Sequence, residues 1–157
     1  MTRIEFRRRI VLGIEFVHMR VAVRLVRQVQ IALLVSIALY AATGERLART
    51  VAHDPANALF HALSLLSISL VGATVVMRRT LVFPAEAALK ERPDDSVAVA
   101  RWKTGYIYLY ALCEALGLFG FVLRALGFTL ANVWGFYLGG FLLLLLYSPR
   151  TPRAEVG

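Results

Sequence analysis

Four apolar runs, at about 28–44, 58–77, 104–123 and 128–147, alternate along the chain with short polar segments rich in arginine. About 20 apolar residues in a helix, rising 1.5 Å each, cover a hydrocarbon core of about 30 Å. Lipid demands that every backbone polar group be satisfied within its own segment, so runs of this kind predict helices. The pattern therefore predicts an all-α fold, a polytopic membrane four-helix bundle forming a single domain over 1–157. Ahead of the first run, Ile10, Ile14, Val17 and Val21 recur at helical spacing, with Arg20, Arg24 and Arg27 on another line. With Arg7, Arg8 and Arg9 they predict a basic amphipathic helix over 1–27, lying at the headgroup level and in contact with anionic lipid or an acidic partner. Glu15, His18, Arg20 and Arg24 break the segment 10–26, which also lacks a small-residue cleavage site and so does not read as a signal peptide.

Between the runs the chain offers turn and stop signals. Gly44 and Glu45 end the first run, and Asp54-Pro55 leads into the second. Arg78 and Arg79 are expected to stop the second. The cytoplasmic link 78–103 has room for a short helix over 85–90 after Pro84. A turn follows at 92–95, and from Ser96 a helical approach leads to the third run. Tyr106, Tyr108 and Tyr110 fall at the entry to that run, where an interfacial aromatic belt accounts for them. A tight turn at 125–128 joins the last two runs. Gly135 and Gly139 form a GxxxG pair beside Gly140, a spacing suited to a helix-packing seam. Ser148-Pro149 stops the last helix and opens the tail 148–157.

Composition sharpens this picture. Hydrophobic residues make up 59% of the 157 residues, against roughly 45–50% in soluble domains. The net charge of +8 comes mostly from arginines between the runs. A soluble nucleic-acid binder as basic as this would distribute its apolar residues amphipathically, so no nucleic acid is expected as a partner. Fifteen Lys/Arg fall in the N-terminal segment, the long link and the tail, and three in the remaining links. Four crossings put the first group on one side, which predicts a multi-pass protein of the cell inner (cytoplasmic) membrane with both termini cytoplasmic.

Candidate chemistry is sparse. Cys113 is the one cysteine and is read as a small buried apolar residue. His18, His53 and His61 are too scattered for a haem pocket. No nucleophile–base pairing, metal spacing or phosphate loop is present, so neither an enzyme nor a cofactor is expected. What stands out is Glu114, at the centre of the run 104–123. An acid at that depth is costly unless it faces the protein interior, stays protonated or finds partners. Counting from the run centres places Ser36, Ser67 and Tyr137 at similar depth, one per helix. An inward-facing belt of these four would let Glu114 exchange a proton, or hold a cation with hydroxyl and carbonyl oxygens. Arg124 is ten residues along, about 15 Å in a helix, and is too far to serve as its counter-charge.

The segment Glu114-Ala115-Leu116-Gly117-Leu118-Phe119-Gly120-Phe121-Val122-Leu123 resembles the carboxylate helix of the ATP-synthase proteolipid, subunit c. In that family a midplane acid is followed by a similar small/apolar pattern, and the helix leaves a cytoplasmic loop that carries Arg and Pro, as Arg92-Pro93 does here. The resemblance implies an ion-carrying carboxyl at Glu114 in a ring of subunits. It covers residues 114–123. The family's Gly-rich partner helix has no counterpart, since the second run holds only Gly72, and the link 78–103 is longer and more charged than the family's loop. Together these readings predict a proton- or cation-linked membrane protein that self-associates. The alternative is a non-catalytic accessory or scaffold subunit of a larger membrane complex.

Overall fold

The computed structural model describes the backbone of residues 3–48, 57–92 and 95–149, and side chains from Val21 onward within those ranges. Every element is helical: α1 Arg3–Ala48, α2 Asn57–Met77, a π-helical turn Arg78–Val82, α3 Phe83–Glu91, α4 Ser96–Ala125 and α5 Leu130–Leu146. Three stretches are long and apolar enough to cross a membrane, Val21–Ala48, Asn57–Glu91 and Ser96–Ala125, and Leu130–Leu146 is a shorter apolar helix. This is the make-up of an integral membrane helical bundle.

Two expected boundaries are not helix ends. The basic segment and the first run form one 46-residue helix, because no Gly or Pro interrupts residues 14–43. Arg24 and Arg27 are exposed on it; the side chains of Arg7, Arg8, Arg9 and Arg20 lie outside the described residues. Arg78 and Arg79 do not stop the second helix either. They enter the π turn, in which the Phe83 N–H reaches back to the Arg78 carbonyl. Pro84 explains the widened turn, since it has no N–H and its ring crowds the carbonyl four residues back. The expected loop features at Arg49, His53, Asp54-Pro55 and Pro93-Asp94, and the tail from Arg150 on, fall outside the described residues.

The remaining ends follow local chemistry. Asp95 caps α4, its carboxylate accepting from the N–H groups of Val97 and Ala98 at 2.9 and 3.2 Å. At the other end Gly127, at φ 97°, takes the left-handed conformation. The Gly127 N–H then bonds the Arg124 carbonyl and the Phe128 N–H bonds the Leu123 carbonyl. This paired closure satisfies the last carbonyls of α4 and turns the chain into α5.

α4 is the central helix. α1, α2 and α5 all pack on it, and α1 also touches α5. Trp102, Leu109, Tyr110, Cys113 and Leu123 of α4 are fully buried. Two of the three entry tyrosines are therefore core residues and not an interfacial belt. The Tyr106 hydroxyl bonds Glu86 of α3 at 3.0 Å, and the Tyr110 hydroxyl donates to the Tyr147 carbonyl at 3.0 Å. Tyr108 alone faces outward. Gln30 of α1 is buried and donates to the Leu144 carbonyl at 2.6 Å, satisfying an orphan acceptor in the last turn of α5.

The glycines of α5 divide between a packed face and an open one. A Cβ at Gly135 or Gly139 would meet nothing within 4 Å, whereas one at Gly140 would lie 2.7 Å from the Cys113 carbonyl oxygen. On α4, a Cβ at Gly117 would lie 2.8 Å from Ile37 of α1. Gly117 and Gly140 thus let α4, α5 and the Ile37 side chain meet. Each residue turns a helix by about 100°, which carries Gly139 and Gly135 off the face that Gly140 presents.

Candidate functional site

Glu114 projects from the middle of the apolar run in α4 toward α1. Ser36 and Tyr40 stand one turn apart on α1, a spacing that puts both side chains on one face. The Ser36 hydroxyl donates to Glu114 Oε1 at 2.9 Å, and the Tyr40 hydroxyl donates to the same oxygen at 3.1 Å. Among the described residues no donor reaches Oε2. The Tyr40 ring packs against Phe121, one helical repeat beyond Glu114, with centroids 5.7 Å apart. That contact fixes the ring whose hydroxyl holds the acid.

The carboxyl is half-buried because of where it sits on α4. Ile107, Ala111, Leu118 and Val122 are exposed. With Glu114 they fall at spacings of four, three, four and four, which is one line along the helix. α1 closes one side of this line through Ser36 and Tyr40, and the α2 residues that share a groove with α4 do so at Leu116, off the line. Glu114 is the one polar member of an otherwise apolar stripe.

Of the four residues expected to share a belt, only Ser36 and Glu114 come together. Ser67 lies on α2, and its hydroxyl donates to the Leu63 carbonyl of its own helix at 2.8 Å. Tyr137 is buried on α5, and its hydroxyl has no partner among the described residues. It packs on Gly120 and approaches Gly44 and Arg124, toward the far end of the bundle. Rotation about its helix axis turns Ser67 away, whereas the Tyr137 hydroxyl also reaches along the bundle to the level of Gly44 and Arg124. Tyr40 is the partner of Glu114 that depth counting missed, and its spacing of four from Ser36 was the signal.

The far end holds a second polar group. Arg124 donates through Nε and a terminal nitrogen to Glu45 Oε2 at 3.1 and 2.7 Å, and through its other terminal nitrogen to the Phe128 carbonyl at 2.7 Å. It thereby ties the end of α1 to the α4–α5 turn and leaves Glu114 alone. His61 is exposed, and its Nδ1 lies 2.7 Å from the Asn57 carbonyl of its own helix. Cys113 is buried and free.

A groove of about 370 Å³ lies between α2 and α5, floored by Leu116 and walled by Ser64, Ser67, Val71, Gly135 and Gly139. A Cβ at either of its glycines would meet nothing within 4 Å. Comparison with known proteins places no relative beside this chain: no family model, no curated protein and no solved structure matches it.

Proposed function

We propose that this chain is a proton- or cation-linked protein of the cytoplasmic membrane, with Glu114 as the group that takes up and releases the ion. The observation that carries the reading is the pair of hydroxyls on one oxygen of a half-buried acid. Ser36 and Tyr40 both donate to Oε1, which orients the carboxyl and leaves Oε2 without a donor among the described residues. Oε2 can take a proton, or join a cation's oxygen ligands. Intramembrane acids held in this way mark ion paths more often than they mark plain packing. Supporting the proposed orientation, Arg78, Arg79, Lys90, Arg92, Arg101 and Lys103 lie between the π turn and the first turns of α4, the end given to the cytoplasm, and Arg24 and Arg27 precede the apolar run of α1. The local resemblance of residues 114–123 to the proteolipid carboxylate helix points the same way.

Glu114→Gln tests the reading, since it keeps size and hydrogen bonding and removes the titrating group. Purified protein in vesicles should lose ion flux, and Glu114 should lose its labelling by a hydrophobic carbodiimide, with insertion unchanged. Flux that persists in the variant overturns the proposal.

A second reading, an accessory subunit of a larger membrane complex, draws on the same stripe. Ile107, Ala111, Leu118 and Val122 would seat a partner helix, and Glu114 would be its polar anchor. In that case Leu118→Trp releases a co-purifying subunit, while Glu114→Gln leaves ion flux where it was.

A further inference from the structure

The groove between α2 and α5 is apolar, and beyond its last lining residue on α2, Val71, the helix leads on to a cation, Arg78. On α2 its wall descends through Ser64, Ser67 and Val71, and continuing the same helical line leads to Arg78. On α5 Gly135 and Gly139 continue at steps of four through residue 143 to Tyr147. These two lines meet, because the Arg78 guanidinium lies 5.0 Å from the Tyr147 ring centroid and 5.1 Å from that of Phe83. The opposite end is capped by aromatic rings, with Phe60 5.7 Å from Phe128 and 6.1 Å from Phe136 between centroids. Arg78 has no acidic partner among the described residues, and Arg79 stands beside it. From Val71 to Arg78 is about 10 Å along the helix, which is within the reach of one acyl chain and its headgroup.

We infer that this groove with Arg78 is a binding site for an anionic phospholipid, one acyl chain lying between α2 and α5 and the phosphate meeting the Arg78 guanidinium. Each feature fits that occupant. The volume of about 370 Å³ falls in the range of about 300–1,000 Å³ typical of ligand pockets. The walls offer a chain apolar surface, and Gly135 and Gly139 deepen the slot by having no side chain. The rings under Arg78 hold the guanidinium in place by its face and leave its edge N–H groups for a phosphate. The site is independent of the Glu114 reading, because Leu116 and the groove lie on a different face of α4 from the stripe that bears the acid.

The experiment is native mass spectrometry of the full chain in mild detergent, titrated with phosphatidylglycerol and with phosphatidylcholine of the same chains. The wild type should bind one phosphatidylglycerol in preference to phosphatidylcholine. Arg78→Gln should reduce that preference about fivefold, the effect of one basic residue at the surface. Arg101→Gln, which removes an equal charge away from the groove, should leave it unchanged. Gly139→Leu, and independently Gly135→Leu, should abolish tight binding of both lipids; a Cβ at either position meets nothing within 4 Å. Equal effects of the two arginine variants would mean diffuse attraction and overturn the site. Unaltered lipid binding in both glycine variants would overturn it as well, as would a wild-type dimer that these variants split with lipid binding intact.

Discussion

Ser36 and Glu114 stand 78 residues apart in the chain, yet the serine hydroxyl sits 2.9 Å from the carboxylate Oε1. This contact joins the first spanning helix to the central one at the level where an ionisable group is most expensive. A double-mutant cycle should find the two residues coupled. Ser36→Ala and Glu114→Ala, alone and together, are expected to give a coupling of about 0.6–1.7 kcal/mol by thermal unfolding in detergent, the range found for hydrogen bonds between membrane helices. Tyr40→Phe keeps the packing on Phe121 and should couple to Glu114 by a similar amount. Additive effects would mean that the hydroxyls do not hold the acid.

Adjacent glycines on α5 should behave oppositely. Gly140→Ala pushes a methyl group to 2.7 Å from the Cys113 carbonyl oxygen, which only a shift of backbone against backbone can relieve. It should cost about 1–3 kcal/mol. Gly139→Ala meets nothing within 4 Å and removes the backbone freedom of a helical glycine, so it should be neutral or slightly stabilising. Unfolding midpoints of the two variants, measured side by side, decide the point.

Two buried tyrosines make a second contrast. The Tyr110 hydroxyl donates to the Tyr147 carbonyl at 3.0 Å, so Tyr110→Phe strands that acceptor and should lose about 1 kcal/mol. The Tyr137 hydroxyl is buried without a partner among the described residues. Tyr137→Phe removes an unsatisfied group and should leave stability level or raise it. A marked loss in Tyr137→Phe would show that its hydroxyl has a partner in the membrane.

The pair at the far end is unequal. The Arg124 side chain is 13% exposed and that of Glu45 is 38% exposed. Arg124→Gln removes bonds to both Glu45 and the Phe128 carbonyl and should destabilise by about 2 kcal/mol. Glu45→Gln alters only the more exposed partner and leaves the Phe128 bond in place, so it should lose less than about 1 kcal/mol. Denaturation of the two variants in the same detergent should rank them in that order.

Much of the architecture is legible in the order of the residues. Hydropathy alone locates the spanning stretches and separates the basic links, because lipid selects for unbroken apolar helices. Glu114 announces itself as the one acid deep in a run, and the turn at 125–128 follows from a glycine free to adopt positive φ. What the linear pattern misplaced are faces. Within the chain it is Gly140 that brings α5 close to α4, while the face of Gly135 and Gly139 stays open. Tyr106 and Tyr110 sit where interfacial tyrosines would, but they are core.

The sequence by itself determined depth: each residue's distance along a helix of known rise, and hence which polar groups share a level in the bilayer. Only the tertiary structure decided azimuth, the direction in which each side chain points around its axis. A helix that is apolar on all sides carries little record of its inward face, and in lipid no hydrophobic force marks one. So Ser36 and Glu114 could be matched by level. That Tyr40 completes their contact while Ser67 and Tyr137 turn away depended on how α1, α2 and α5 rotate to pack against α4.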